Sequence, residues 1–325
     1  MRDIDWRPGA SLEALRVRGA MLTALRAHFA DAGMLEVETP LACRSGGTDP
    51  NLEPLVANYR GPGFPDGVDL YLQTSPEFPM KRLLAAGSGA IYQICKAFRN
   101  GEAGRLHNPE FTILEWYRPG FDLPRLMDEV HRVLELALDL GRLARETVSY
   151  AALFARHLGV DVFDVAVKRL QEIAVARHVI AAEQLVLDRD GWLDLLLSHF
   201  IQPGLGKEGL CFVVDYPASQ AALARLNPDG RTAARFEVFH QGIELANGFH
   251  ELVDAGEQAA RFEADNCRRR SAGQRTVPVD RQLLAAMDQG LPDCAGVAVG
   301  LDRVLMLRLG EVDLDAVLGF SLERC

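Results

Sequence analysis

Two arginine-bearing segments near opposite ends of the chain make chemical sense only if the fold brings them together, and that requirement limits the architectures open to it. The first is Phe98-Arg99-Asn100-Gly101-Glu102, followed by His107-Asn108-Pro109-Glu110-Phe111; the second is Gly300-Leu301-Asp302-Arg303. An arginine just past an apolar run can meet an α-phosphate. Phe111 and Arg303 can hold an adenine between a ring face and a guanidinium plane. The pair reads as a nucleotide site built from distant parts of one fold.

At 325 residues, 48% of them hydrophobic, the chain can bury a substantial core. No Pro/Gly/Ser-rich linker or internal repeat divides it, so it reads as one domain over residues 1–325. The N-terminal Met1-Arg2-Asp3-Ile4-Asp5-Trp6 lacks the basic-then-apolar order of a signal peptide, and no apolar run approaches the length of a membrane span. A cytoplasmic location, away from membranes, is expected. Cys43, Cys95, Cys211, Cys267, Cys294 and Cys325 form no Cys-x-x-Cys pair, which suggests neither a zinc site nor a disulfide framework. A net charge of −10 opposes broad binding to a phosphate backbone. The densest basic cluster, Arg268-Arg269-Arg270 with Arg275, reads as a solvated helix end.

Spacing predicts a helix from Ser11 to about Ala32, with Leu15, Leu22, Leu25 and Phe29 on one face and Gly33 as its stop, then an edge strand over Leu35–Pro40. Gly61 to Gly67 reads as a loop, Leu70–Thr74 as a strand and Lys81–Ala86 as a helix. Ile91–Cys95 begins the first of two antiparallel strands joined by a loop over Gly101–Leu106. Further helices are predicted over Leu123–Leu143, Val167–His178 and Leu193–Phe200. Arg235 to Glu251 reads as a β-hairpin turning near Gln241-Gly242. A two- or four-residue turn puts Glu237 and Glu244 on the same face, where their charges repel. Two readings stay open there: a solvated strand face, or a cation such as Mg²⁺ held by the carboxylates together with nucleotide phosphates. Ser75-Pro76-Glu77 has two readings as well, an ordinary helix start or a substrate contact. His240 and His250 lack metal-ligand spacing, and no Gly-x-Ser-x-Gly, P-loop or Rossmann fingerprint is present.

These segments resemble class II aminoacyl-tRNA synthetases, and the lysyl branch most of all, whose usual wording is F-R-N-E, H-N-P-E-F-T and G-I-G-I-D-R. The helix, short strand and proline near the N-terminus resemble motif 1 of that family, and the resemblance spans about Leu15 to Arg308 in the expected order. It implies an α+β fold, a largely antiparallel sheet flanked by helices, and a homodimer. For ATP it implies Arg99, Asn100, Gly101, Glu102, His107, Asn108, Phe111, Glu244, Leu245, Gly300 and Arg303, with Arg99 and Arg303 catalytic. For Mg²⁺ it implies Glu237 and Glu244, which match the family's R-F-E and G-x-E wording. For the amino acid it implies Ser75, Pro76 and Glu77 (family A-P-E), Glu115 and Tyr117 (E-L-Y), and Asn247, Phe249, Glu251 and Ala298. Several acids suit a substrate with two ammonium groups.

Two departures carry information. Gly101 stands where the family has glutamate, with Glu102 one position later, and Ala298 replaces a glycine in the A-G-L-G-I-G-I-D-R pattern. Lysyl-tRNA synthetases carry an anticodon-binding OB-fold ahead of this core, and motif 1 here begins almost at the first residue. The chain is therefore similar to the truncated lysyl paralogues that activate (R)-β-lysine as an adenylate and transfer it to a lysine of elongation factor P, without productive tRNA acylation. A compact lysyl-tRNA synthetase and a non-catalytic nucleotide-binding regulator of translation are the alternatives.

Overall fold

The computed structural model describes residues 6–325, so the first five residues of the N-terminal stretch Met1–Trp6 lie outside it. The fold divides into two compact units, one taking the chain up to Gly141 and again from Leu252 to Cys325, the other Arg142–Glu251.

The first unit opens with α1 (Leu12–Asp31), capped by Ser11, whose side chain accepts the N–H of Ala14 at 3.0 Å. Its buried stripe is Ala14, Met21, Leu25 and Phe29, one position off the predicted face at two points, so Leu15 and Leu22 are only half-buried. Phe29 stacks on Tyr92 (4.6 Å between ring centroids) and tilts against Trp116 (5.3 Å), anchoring the helix to the strands that carry the site. The predicted edge strand shrinks to β1 (Leu35–Glu36). A small sheet follows, made of β2 (Ala42–Cys43), β3 (Val56–Gly61) and β4 (Phe64–Leu72) in the order β2-β4-β3. The loop expected over Gly61–Gly67 is instead the tip of the β3–β4 hairpin, turning at Pro62-Gly63 with Gly63 at φ 83°. Turn-forming composition marked the bend, but the residues around it pair as strands.

After α2 (Glu77–Ala85), β5 (Ile91–Phe98) and β6 (Glu110–Pro119) pair antiparallel, as expected, and α3 (Leu123–Leu138) packs its apolar side into the core. The second unit contains β7 (Ala144–Ser149), α4 (Tyr150–Leu158), α5 (Val167–Ala176), α6 (Arg189–Leu196), β8 (Gly209–Pro217), β9 (Thr232–His240) and β10 (Ile243–His250). Its strands run in the order β10-β9-β8-β7, antiparallel except for the parallel β7–β8 pair. Its helices contribute Phe154, Leu170 and Trp192 to a buried cluster that includes Phe239 of β9, a Leu or Phe there being worth about 1.5–3 kcal/mol on burial.

The chain then returns to the first unit with α7 (Ala255–Ser271), α8 (Arg281–Gly290), β11 (Cys294–Gly300) and α9 (Leu301–Arg308). There the strand order is β1-β5-β6-β11, with only the β1–β5 pair parallel. Helices around largely antiparallel strands bear out the α+β expectation. Among the described residues no helix is long and apolar enough to cross a membrane.

Candidate functional site

Strand register assembles the first cluster. On β6, Phe111, Ile113, Glu115 and Tyr117 alternate onto one face. On β11, Gly300 lies opposite Ile113, Ala298 opposite Glu115 and Gly296 opposite Tyr117, while on β5 Gln93 lies opposite Glu115. Glu115 is thus flanked by a buried glutamine and by a stretch whose side chains are a hydrogen, a methyl and a hydrogen. A Cβ built on Gly300 would meet nothing within 4 Å, so the floor there is open above the backbone. The odd positions Val297, Val299 and Leu301 fill the opposite, buried side.

Glu115 is buried, and both of its oxygens are engaged: Ser75 Oγ donates to one at 2.7 Å and Tyr117 Oη to the other at 2.6 Å. Ser75 Oγ also accepts the N–H of Glu77 at 3.0 Å. The two readings of Ser75-Pro76-Glu77 therefore coexist, because one hydroxyl starts α2 and fixes a buried carboxylate. Pro76 takes the cap position itself, with no side-chain bond to offer. Glu77 is paired with the buried Lys81 ammonium at 2.5 Å. Burial first, and the charge of Glu77 second, push the Glu115 carboxyl up from 4.5 to about 7, against the hydrogen bonds from Tyr117 and Ser75.

That shift has a sign. The folded chain keeps a proton on Glu115 that the unfolded chain has already lost, so this group costs stability as pH rises from about 4.5 to about 7. An ammonium ligand placed beside Glu115 favours the charged form and expels the proton. Binding a diammonium amino acid should therefore release a proton near pH 6 and little at pH 8, measured by calorimetry in buffers of different ionisation enthalpy. Glu115→Gln should abolish the difference, and a release independent of pH would rule out Glu115 as the acceptor of an ammonium.

The second cluster lies at the open end of β5 and β6. Arg99 sits with its guanidinium 4.9 Å from the Phe111 ring centre, 3.7 Å from Glu102, and with a buried Nε that has no hydrogen-bond partner among the described residues. Glu102 also approaches His107 at 3.9 Å. Gly101 has φ 80°, a left-handed conformation in which a glutamate would be strained. The turn explains the departure from the family wording: glycine makes the bend, and the carboxylate reaches Arg99 from position 102. Asn100 is exposed, and Asn108 spans from the Glu110 carbonyl to the Leu322 N–H. Arg303, from the first turn of α9, donates to the Leu106 carbonyl at 3.2 Å and meets His107 Nε2 at 2.7 Å. The two distant arginine segments do converge. The Phe111 ring lies under Arg99, however, while Arg303 engages the loop beside it.

The third cluster belongs to the second unit. The hairpin turns at Gln241-Gly242, both with positive φ, as a two-residue connection. Between Glu244 and Ala246 the register shifts, a bulge that leaves Glu244 opposite Phe239 but brings Asn247 opposite Glu237 and Phe249 opposite Arg235. Leu245, inside the bulge, is buried. A cation does stand beside Glu237: Arg235 pairs with its Oε1, and Tyr216 Oη donates to its Oε2 at 2.6 Å. Arg235 also donates to Asn247 Oδ1 at 3.3 Å and lies 4.4 Å over the Tyr216 ring. Burial pushes Glu237 up to about 7, Arg235 opposes that, and the Glu244 charge adds to it. Glu251, just past β10, is buried and bridges to Ala224.

Sequence reasoning named neither Arg235 nor Tyr216 as part of this site. For Arg235 a signal existed, since it alternates onto the face of Glu237 two residues later. Tyr216 comes from β8 and leaves no local trace.

Glu237 and Glu244 offer hard oxygen donors, and a carboxylate oxygen has lone-pair capacity beyond a single hydrogen bond, a chemistry that fits Mg²⁺. Among the described residues no group of three His, Cys, Asp or Glu side chains could hold a metal ion, so phosphate oxygens would have to complete its coordination.

Against this geometry, the family of class II tRNA synthetases (D, K and N) matches residues 1–324. Similar proteins include the elongation factor P–(R)-β-lysine ligase of Edwardsiella ictaluri, 48% identical over 321 residues and covering 98% of both chains. Those of Salmonella paratyphi A and of an Enterobacter species are each 48% identical over 320 residues, again 98% of both chains.

Proposed function

The chain belongs to the class II tRNA synthetases of the D, K and N group, and from that membership we propose that it is an ATP-dependent ligase that activates (R)-β-lysine as an aminoacyl-adenylate and transfers it to a lysine side chain of elongation factor P. The observation that carries the reading is the single face of β6 that presents Phe111 beside Arg99 at one end and the buried carboxylate Glu115 four residues on. At about 3.4 Å per residue that separation is roughly 14 Å, enough for an adenine ring at one end and an ammonium at the other with the phosphate between them.

In the first step a substrate carboxylate oxygen attacks the α-phosphorus of ATP, an O–P bond forms, and the bond to the β-phosphate oxygen breaks as pyrophosphate leaves. Negative charge meeting negative charge is the obstacle. Arg99 supplies a fixed guanidinium for the charge that develops on the α-phosphate, and Arg303 one for the polyphosphate, with Phe111 as the adenine platform. Asn100, Gly101, Glu102, His107 and Asn108 shape the nucleotide loop, and Gly300 leaves room above the strand. Glu115, oriented by Ser75 and Tyr117, takes one substrate ammonium, and Glu77 lies beside it. By the family wording, Asn247, Phe249 and Glu251 are further contacts for the amino acid. Glu237 and Glu244 are the groups that would hold Mg²⁺, which when bound neutralises charge on the leaving pyrophosphate, and Leu245, in the bulge of β10, is a further nucleotide contact. In the second step the acceptor lysine, as a free amine, attacks the adenylate carbonyl; the C–O bond to the phosphate breaks, AMP departs and the amine loses a proton. The enzyme works as a cytoplasmic homodimer and a single catalytic domain. The net charge of −10 supports a protein acceptor over tRNA.

The test is incubation with ATP, (R)-β-lysine or α-lysine, and either purified elongation factor P or lysine tRNA. Intact-mass detection should show one β-lysyl addition on the factor and no saturable charging of tRNA. Charged tRNA with unmodified factor would reverse the assignment.

A further inference from the structure

The run Arg268-Arg269-Arg270 near the end of α7 does not behave as one basic patch. Arg268 and Arg270 face solvent and pair with Asp265 and Glu263, and Arg275 pairs with Asp69. Arg269 between them has a side chain that is 0% exposed. Its guanidinium meets three acceptors on two pieces of chain: Nε donates to the Arg275 carbonyl at 2.7 Å, one terminal nitrogen to the Asp49 carbonyl at 3.0 Å, and the other pairs with the Glu53 carboxylate. A fully buried guanidinium is costly unless its donors are all met, so this one commits the surrounding chain to a fixed geometry. Neighbouring contacts grip the same segment. Thr48 donates to Asp265 at 2.7 Å, and Gln274 donates to the Pro50 carbonyl at 3.0 Å.

The held segment reaches the nucleotide cluster through the backbone. The Glu53 carbonyl accepts the N–H of Asn100 at 2.7 Å, immediately after Arg99. Arg99 itself donates its N–H to Pro109, and Phe98 donates to Gln73. Of these three backbone tethers around the arginine, the one through Glu53 ends on a residue whose side chain is clamped by a buried cation. We propose that Arg269 is a positioning residue for nucleotide activation: by fixing Asp49–Glu53 it holds Asn100, and so aims the guanidinium of Arg99. This rests on the ligase reading above, because it is Arg99's work in adenylate formation that it serves.

The full chain carrying Arg269→Lys keeps the charge but loses the planar fork that meets three acceptors at once. Its ATP kcat/KM in β-lysine-dependent pyrophosphate exchange should fall by about tenfold or more, while the KM for β-lysine stays within about twofold. Affinity for a non-hydrolysable ATP analogue, measured by calorimetry without amino acid, should weaken in parallel. Should Arg269→Lys fail to fold, Glu53→Gln is read in its place, since it removes the same charge pair at a partly exposed position. Unchanged ATP parameters in a folded variant would overturn the proposal, and so would ATP and β-lysine KM values that rise together, which mark general loosening. Wild-type protein is assayed alongside: if it exchanges no pyrophosphate the ligase reading fails, whereas normal wild-type exchange with unaffected variants removes only the role of Arg269.

Discussion

Replacing Arg99 by alanine should slow adenylate formation by about a hundredfold or more while leaving the fold intact. The magnitude follows from what the side chain is placed to do. Removing one preorganised donor from a site of developing negative charge costs about 2.7–4 kcal/mol in comparable acyl-transfer enzymes. Arg99 is held for such a role: Phe111 supports its guanidinium from one side, Glu102 approaches from another, and its buried Nε has no partner among the described residues. A buried donor without a partner is unfavourable in the free protein, and a phosphate oxygen would satisfy it. Little of the fold depends on the side chain, because the backbone here is held by the N–H bonds of Phe98, Arg99 and Asn100. Pyrophosphate exchange and a thermal melt on the same preparation check both halves. Wild-type exchange in Arg99→Ala would remove Arg99 from the reaction, and a collapsed melt would make it a structural residue instead. Arg99→Lys should recover only part of the rate, since an ammonium cannot match two phosphate oxygens with a planar fork.

The arginine segments were legible in the sequence because their chemistry is local: an apolar strand, an arginine at its end, a turn and an aromatic on the returning strand. The fold class was legible for a similar reason, since hairpin and helix periods survive in short windows. What escaped was set by distant partners. The α1 stripe shifted from Leu15 and Leu22 towards Ala14 and Met21 because the aromatic pair Tyr92 and Trp116, far along the chain, decides which side of the helix is inside. Residues 61–67 looked like a loop because composition reports the bend and not the pairing around it. The bulge at Leu245 placed Asn247 rather than Ala246 opposite Glu237, and a one-residue slip of that kind cannot be read from alternation alone. The solvated-helix-end expectation fails at Arg269, because a run of three arginines gives no sign that the middle one points inward.

Ala298→Gly should shift amino-acid preference towards α-lysine, raising its kcat/KM relative to β-lysine by at least about tenfold, the lower part of the 1–3 kcal/mol that one methylene commands in a pocket. Register gives the methyl group its place. Ala298 lies directly across from Glu115, between Gly296 and Gly300, on the strand face where the other two positions carry only hydrogen. The amine of β-lysine is one carbon further from the carboxylate than that of α-lysine. If Glu115 and its partners Ser75 and Tyr117 fix the amine nearer the carboxylate, and Arg99 the phosphate end, the shorter amine-to-carboxylate span of α-lysine draws its backbone against the floor at Ala298. The methyl then crowds the α-amine and leaves the β-amine room. Glycine in a strand itself costs about 0.5–1 kcal/mol of stability, so the comparison is the ratio of the two substrates within one variant rather than either rate against wild type. Both values come from pyrophosphate exchange with each amino acid in turn. An unchanged ratio would make Ala298 a packing detail of β11 and would move the discrimination to the hydrogen bonds that Ser75 and Tyr117 make with Glu115.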